Sequence, residues 1–285
     1  MHDHPSSQSP APPPAAFDKQ DALRRLISTF DSAIVAFSGG VDSAYLAWVS
    51  HDVLGDRVLA VTADSPSYPE RHRALARDVA AKFAFPLEII HTDEMANPDY
   101  RANPVNRCYY CKQELYTHLS ALARSRGMQV ILDGNNADDR GDYRPGRQAA
   151  REFGVRSPLD EVGLTKQEIR DLSQAAGLPT WNEPASACLS SRIPYHSEVT
   201  DEKLRMIEQA EAILREHGFR ICRVRHHDTV ARLELGAEEM ARALDPTIRM
   251  SLVKQLKALG YQFVTLDLQG YRLGSLNEPI RLQAI

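Results

Sequence analysis

Ala33-Ile34-Val35-Ala36-Phe37-Ser38-Gly39-Gly40-Val41-Asp42-Ser43 is the stretch whose reading decides the fold. Five apolar residues without polar alternation are what a strand buried on both faces of a parallel sheet requires. A glycine pair follows at once, and then a helical pattern from Ser43 to about Val53. Strand, glycine turn and helix together outline an anion cradle. Glycines let the backbone bend sharply and aim N–H groups at an anion with no Cβ in the way. The helix adds its unsatisfied first-turn amides and the positive end of its dipole, and Ser38 and Ser43 add hydroxyl donors. Asp42 is out of character there, because a carboxylate repels phosphate; a bound Mg²⁺ or a helix-capping bond would reconcile it.

Outward from this stretch, strand and helix patterns alternate. Apolar residues at helical spacing mark Asp18–Phe30, and strands are expected at Arg57–Thr62, Pro86–His91 and Gln129–Asp133. Between them lie helical runs at Pro69–Phe83 and about Cys108–Arg126. Such alternation predicts an α/β fold with a doubly wound parallel sheet. Thr165-Lys166-Gln167-Glu168 reads as a capping box opening a helix that Gly177 and Pro179 close. Pro179–Tyr195 is Pro- and Ser-rich and reads as loop. Beyond it, a helix over Thr200–His217, a hairpin turning at His226-His227-Asp228, two helical pieces and a strand over Gln262–Leu268 predict a smaller C-terminal α+β domain. The expected division is a tail over 1–16, a nucleotide domain over 17–180, and a substrate-binding and oligomerisation domain over 181–285.

Composition narrows the function. Five of the first sixteen residues are proline, which predicts a tail rather than a core element. That stretch has neither the apolar centre of a signal peptide nor the Arg-rich face of a transit peptide, so a cytoplasmic protein is expected. Acidic side chains outnumber basic ones, with a net charge of −4, which weighs against a dedicated nucleic-acid binder. No apolar run is long enough to cross a membrane as a helix. The four cysteines are too few for a disulfide scaffold, so their spacing points to metal or sulfur chemistry.

The glycine loop is not a Walker loop, because no Gly-x-x-x-x-Gly-Lys-Ser/Thr is present. It resembles the PP-loop ATP pyrophosphatases, which adenylate an oxygen and let a nucleophile displace AMP. ATP ligands are therefore expected at Ser38, Gly39, Gly40, Asp42 and Ser43, with Mg²⁺ beside the phosphates. In an open α/β sheet, ligand-facing residues follow the carboxyl ends of strands. Asp64 in Thr62-Ala63-Asp64-Ser65, and Asp133 and Asn135 in Asp133-Gly134-Asn135-Asn136, occupy such positions. Each also reads as an ordinary polar turn. Lys166 is either a phosphate contact or an exposed first-turn lysine.

Cys108-Tyr109-Tyr110-Cys111 is a C-x-x-C at the start of a helix, where the dipole is expected to lower thiol pKa values and favour metal-binding thiolates. It reads as a redox dithiol, half a zinc site, two incidental thiols, or part of an iron–sulfur site. Four-ligand zinc lacks its second pair. Cys108, Cys111 and Cys188 suit a cluster with one iron left open. Cys222, between Ile221 and Val224, reads as a small buried residue.

These cysteines stand in a wider pattern: Thr62-Ala-Asp-Ser-Pro-Ser67, Asn106-Arg-Cys-Tyr-Tyr-Cys-Lys112, Asp133-Gly-Asn-Asn136, Asp142-Tyr-Arg-Pro-Gly146 and Pro184-Ala-Ser-Ala-Cys-Leu-Ser-Ser-Arg-Ile-Pro194. With the glycine loop, the pattern resembles the LarE family of ATP-dependent sulfur transferases over about residue 18 to the C-terminus. The resemblance implies a pyridinium-3,5-dicarboxylic acid mononucleotide substrate, thiolated during biosynthesis of a nickel-pincer cofactor, and a homo-oligomer such as a hexamer. One branch of the family sacrifices the sulfur of the residue matching Cys188. The other, with three cysteines as here, holds a [4Fe–4S] cluster that takes sulfide from a donor. Cys188 is thus the expected catalytic residue, and Cys108, Cys111 and Cys188 the expected cluster ligands. Ser191, Arg192, Arg223 and Arg225 are the expected anchors of the substrate phosphate; a solvated basic strand face is the plain alternative for the last two. Trp181 and Tyr109 offer faces for a pyridinium, and Glu234 reads as an outward strand carboxylate. A tRNA thiolase, an amide-forming synthetase and a nucleotide sensor are the competing readings. The first lacks a basic surface, the second gives the cysteines no task, and the third would release no pyrophosphate.

Overall fold

The computed structural model describes residues 12–141, 145–184 and 187–272. The first eleven residues of the expected tail, Asp142–Arg144 of the Asp-Tyr-Arg-Pro-Gly segment, and Ala185 and Ser186 before Cys188 lie outside the described residues. The chain divides into two units. The first runs to Ala63 and takes in Arg71–Ile90 and Leu115–Glu183; the second takes Asp64–Glu70, His91–Glu114 and the described chain from Pro184 on. The last crossing falls between Glu183 and Pro184, close to the expected boundary. Two earlier excursions follow the ends of the second and third strands, and they carry Ser65, Ser67, Glu94 and both cysteines of the C-x-x-C into the second unit.

In the first unit, β1 (Ala33–Ala36) pairs in parallel with β2 (Val58–Asp64) and β4 (Val130–Leu132), and β3 (Leu87–His91) lies beyond β2 in the order β3-β2-β1-β4. Ala33 faces Val58 on one side and Val130 on the other. Every residue of β1 is buried, as its unbroken apolar run requires. Helix α1 (Pro14–Ile27) begins earlier than the apolar spacing suggests. Proline at its first position has no N–H to satisfy, and Ala16 is fully buried in the core with Leu23 and Ile27, so the last residues of the expected tail are helix. Helix α2 (Val41–Leu54) packs Ala44, Leu46 and Val49 into the same core, and α3 (Glu70–Lys82) adds Ala76 and Val79. The capping box at Thr165 is present: Thr165 Oγ1 accepts from Glu168 N, and the Glu168 carboxylate accepts from Thr165 N.

In the second unit, β5 (Cys222–His227) and β6 (Val230–Leu235) form an antiparallel hairpin whose turn carries Asp228 at φ +49°, and β7 (Phe263–Leu266) pairs in parallel with β6. The helices Asp201–Glu216 and Pro246–Ala258 contribute Ala210, Leu214, Leu252 and Leu256 to the core of this sheet, which also holds Cys222. A separate small apolar cluster joins Tyr100, Leu189, Ile193, Val199 and Leu204, with Tyr110 and Cys111 packed against it.

Candidate functional site

The loop between β1 and α2 has the conformation that its glycines predict. Gly39 adopts φ +65°, and a Cβ there would come within 3.1 Å of the His72 carbonyl oxygen. Ser38 N donates to Ser43 Oγ at 3.1 Å, and the two hydroxyl oxygens lie 3.1 Å apart, so the two serines close the loop on itself. Gly134, after β4, brings its backbone so close that a Cβ would stand 3.0 Å from Ser43 N. The loops after β1 and β4 therefore adjoin where the strand order reverses, the place at which open α/β sheets bind ligands.

Asp42 finds a cation rather than a capping role. Lys166 Nζ donates to Asp42 Oδ2, and Asn136 Nδ2 donates to Asp42 Oδ1 at 3.3 Å. Burial still raises the Asp42 carboxyl above its ordinary range, with Lys166 pulling the other way. Lys166, an open question in the sequence, thus sits beside the loop. Asp133 departs from expectation. Its Oδ1 accepts from Ser157 Oγ at 2.6 Å and Asn135 N at 3.2 Å, and its Oδ2 accepts from Tyr116 OH at 3.0 Å and Asn135 Nδ2 at 2.6 Å. A buried carboxylate with both oxygens so engaged shapes the loop after β4 instead of presenting itself to a nucleotide. Asn135 is bound up in the same brace. Trp181, by contrast, is tied by its carbonyl to Arg170 at 2.6 Å.

Within the second unit, Asp64 ends β2 with His91 Nδ1 at 3.7 Å from its carboxylate. The same unit gathers Cys108, Cys111 and Cys188, all reduced. Burial raises the thiol pKa of Cys108, and Arg107 pulls it back while a charge on Cys188 pushes it further up. Cys111 is raised well above the ordinary range by burial first, then by Glu94, Cys188 and Cys108. These shifts run opposite to the depression expected at the start of the helix Arg107–Arg126; burial leads for both thiols, although Cys111 is only half-buried and Cys108 keeps an exposed surface. Arg107 is the compensating group. Its guanidinium is buried, donates to Asn103 Oδ1 and to the Ser190 carbonyl at 3.1 Å, and is held charged by Cys188 and Cys108 against the pull of burial.

Cys188 is fixed on both sides. Its carbonyl accepts from Ser191 N at 3.0 Å, Ser191 Oγ at 2.7 Å and Arg192 Nη1 at 2.9 Å. Leu189 N donates to the Ser67 carbonyl at 2.8 Å, and Ser190 Oγ lies 2.6 Å from Tyr100 OH.

Two expected phosphate anchors turn out to be internal. Arg192 is only 2% exposed, bonds Glu211 through Nε at 2.8 Å and Nη2 at 3.2 Å, and bonds the Ala187 carbonyl at 2.7 Å. Arg225 bonds Glu234 at 3.0 Å and the Ser191 carbonyl at 2.6 Å. A guanidinium whose N–H groups face protein acceptors in a dry site positions a backbone and does not receive a ligand. Arg223 shares a strand face with Arg225 and is less buried, 5.2 Å from the Tyr271 ring. Glu234 lies on the strand face opposite the apolar core of Leu233 and Leu235, as an outward carboxylate would, yet it is fully buried there between Arg225 and Arg232. His226 is a β5 residue, not a turn residue, and is buried 3.0 Å from Tyr261 OH. Tyr109 lies edge-on to Tyr110, with ring centroids 5.6 Å apart. Arg107 was missed although it directly precedes Cys108; Glu94 and Tyr100 carry no motif at all.

Residues 20–190 match the asparagine synthase family. The chain is 46% identical over 262 residues to an uncharacterized protein of Synechocystis, covering 92% of this chain and 98% of that one. It is 35% identical to the pyridinium-3,5-bisthiocarboxylic acid mononucleotide synthase of Lactiplantibacillus plantarum, over 92% of this chain and 95% of that protein. An uncharacterized protein of Methanocaldococcus jannaschii is 27% identical over 84% of this chain and 90% of its own length.

Proposed function

The chain belongs to the LarE family of ATP-dependent sulfur transferases, built on the PP-loop domain that the asparagine synthase family shares, and from that membership we propose how its residues divide the reaction. ATP belongs to the first unit and sulfur to the second. The substrate is a pyridinium-3,5-dicarboxylic acid mononucleotide.

A carboxylate resists nucleophiles because its oxide leaves poorly. Attack of one carboxylate oxygen on the α-phosphorus of ATP expels pyrophosphate and leaves an acyl-adenylate. Backbone N–H groups of Gly39, Gly40 and the first turn of α2, with the Ser38 and Ser43 hydroxyls, hold the departing pyrophosphate. Lys166 supplies a positive charge next to them, and Asp42, its partner, would offer Mg²⁺ a carboxylate beside the phosphates. A sulfur nucleophile then adds to the carbonyl carbon, and AMP leaves with the former carboxylate oxygen.

Cys188 is the reacting position because the carbonyls of Ala187 and Cys188 are both tied down while its half-buried thiol is felt by Cys108 and Cys111. The donor set suits a [4Fe–4S] cluster held by Cys108, Cys111 and Cys188. Among the described residues no group of three or more His, Cys, Asp or Glu is placed to hold a metal ion; what supports the cluster is the three-cysteine pattern, with Cys188 felt by both Cys108 and Cys111 and Arg107 beside Cys108. A [4Fe–4S] cluster held by these three cysteines would supply the sulfide that replaces the departing oxygen. Arg223 is the anchor for the substrate phosphate, with Ser191 next to Cys188. Four cysteines with no disulfide among the described residues support a reducing compartment, the cytoplasm; among the described residues no helix is long and apolar enough to cross a membrane. A homo-oligomer and a separate sulfide donor complete the proposal.

The observation that carries the reading is that Cys108 and Cys188 share the buried Arg107, with Cys111 close enough to feel both, in a chain that also has a PP loop. Incubation with ATP, Mg²⁺ and the pyridinium mononucleotide tests it: AMP, pyrophosphate and a thiocarboxylate are expected together. Absence of substrate-dependent pyrophosphate release refutes it.

A further inference from the structure

We propose that Glu94 is a positioning residue for sulfur transfer, which sets the backbone beside Cys188 through the Ser65–Ser67 turn. The inference rests on the sulfur-transfer reading above.

Glu94 stands on a short helical turn after β3 and is 3% exposed. Its Oε1 accepts from Ser65 Oγ at 2.7 Å and Ser67 Oγ at 2.6 Å, and its Oε2 accepts from Thr92 Oγ1 at 3.1 Å. A buried carboxylate without partners would be costly; here three hydroxyls converge on it from two separate segments of chain. Thr92 N in turn donates to the Asp64 carbonyl at 3.1 Å, so the two segments are joined by main chain as well. What the brace holds is the Ser67 carbonyl, which accepts from Leu189 N at 2.8 Å, the residue directly after Cys188. Leu189 and Cys111 pack in one apolar cluster with Tyr100, whose hydroxyl meets Ser190 Oγ. Glu94 thus lies, through the Ser67 hydroxyl and carbonyl, next to the main chain that carries Cys188. No step of the chemistry engages its carboxylate, and no ion pair to it is found among the described residues.

Displacing a reacting sulfur by a fraction of an ångström leaves adenylation intact and lets water take the adenylate. The quantity to read is therefore thiocarboxylate formed per AMP released. Glu94→Ala should lower that ratio by about tenfold or more while substrate-dependent pyrophosphate release stays within about threefold of the parent. Glu94→Gln keeps one oxygen for the two serines and offers its amide to Thr92 Oγ1, so it should restore the ratio to within about threefold. A second readout needs no turnover: iodoacetamide labelling of the metal-free protein, read on the Cys188 peptide. Glu94→Ala should label Cys188 several-fold faster with Cys222, a core thiol, unchanged. Should Cys222 open too, Ser67→Ala replaces it, with the same two readouts and the carboxylate retained. Parental ratio and labelling in the alanine variants overturn the proposal, as does a glutamine variant as impaired as the alanine one. If the parent enzyme releases no pyrophosphate with the pyridinium substrate, the functional reading has failed, and the labelling still judges Glu94.

Discussion

Arg192 and Glu211 form an ion pair at 2.8 Å in which both side chains are buried, 2% and 1% exposed. Burial alone would raise the carboxyl, but Arg192 overrides it and brings Glu211 down to about 2 from an ordinary 4.5. The pair joins the segment after Cys188 to the helix Asp201–Glu216, and Glu211 also accepts from Val224 N on β5. Glu211→Gln leaves the guanidinium buried without its counter-charge and should cost about 3–5 kcal/mol, measured by denaturant unfolding. The pH dependence has a definite sign. A carboxyl whose folded pKa lies below its unfolded value stabilises above pH 4.5, and that stability drains away as pH falls toward 2. The parent should lose stability steeply through this window and the glutamine variant should not.

Gly134 meets Ser43 N at 3.0 Å from where a Cβ would stand. Alanine at 134 must push the loop after β4 off the start of α2, at a cost of about 1–3 kcal/mol. The protein should stay folded while pyrophosphate release falls by about tenfold or more, because the displaced groups include a phosphate-facing amide. Circular dichroism and the pyrophosphate assay separate the two effects. A fully active Gly134→Ala enzyme would mean that the loops need not adjoin.

Asp42 carries a different signature. Its carboxyl is raised chiefly by burial, with Lys166 only partly compensating. The folded protein therefore binds this proton more tightly than the unfolded chain does. The associated stability is full below the unfolded value of 3.8 and is lost as pH rises through the folded pKa, so at neutral pH the ionised group is a burden. Asp42→Asn should hold or raise the thermal midpoint at pH 7 while lowering ATP turnover by about tenfold or more, the trade expected of a residue kept for function. A variant both less stable and fully active would contradict that role.

The α/β core was legible because its signals are local. An unbroken apolar run, a glycine pair and a Thr-x-x-Glu box are each read within a few residues, and β1, the loop and the capping box all occur where they were expected. The site was legible only as far as motif reaches. Arg192 and Arg225 share the look of phosphate anchors, but Glu211 and Glu234 are distant in sequence and claim both guanidinium groups. Glu234 alternates with apolar neighbours and does face away from their core, yet the arginines on that same face bury it, which the alternation cannot show. Glu94 was invisible because a single carboxylate surrounded by unremarkable residues announces nothing until Ser65, Ser67 and Thr92 are seen to converge on it.

Substitution of the cysteines distinguishes a repeated sulfur delivery from a sacrificial one. Cys188 helps raise the thiols of Cys108 and Cys111, whereas Cys222 sits apart in the core of the second sheet, with burial pushing its thiol up to about 11. After anaerobic reconstitution with iron and sulfide, the parent should form more than one thiocarboxylate per protomer. Cys188→Ser should form none, because serine provides neither a sulfur nor a competent thiolate position. Cys108→Ser and Cys111→Ser should keep adenylation but stop at one product or fewer per protomer, since Cys188 can still surrender its own sulfur once; a mass loss of H₂S on the Cys188 peptide identifies that event. Cys222→Ser buries a hydroxyl where a thiol packed and should cost about 1–3 kcal/mol of stability while leaving turnover number unchanged. If Cys108→Ser and Cys111→Ser turn over as many times as the parent, the three thiols do not act as one group, and Cys188 alone carries the sulfur chemistry.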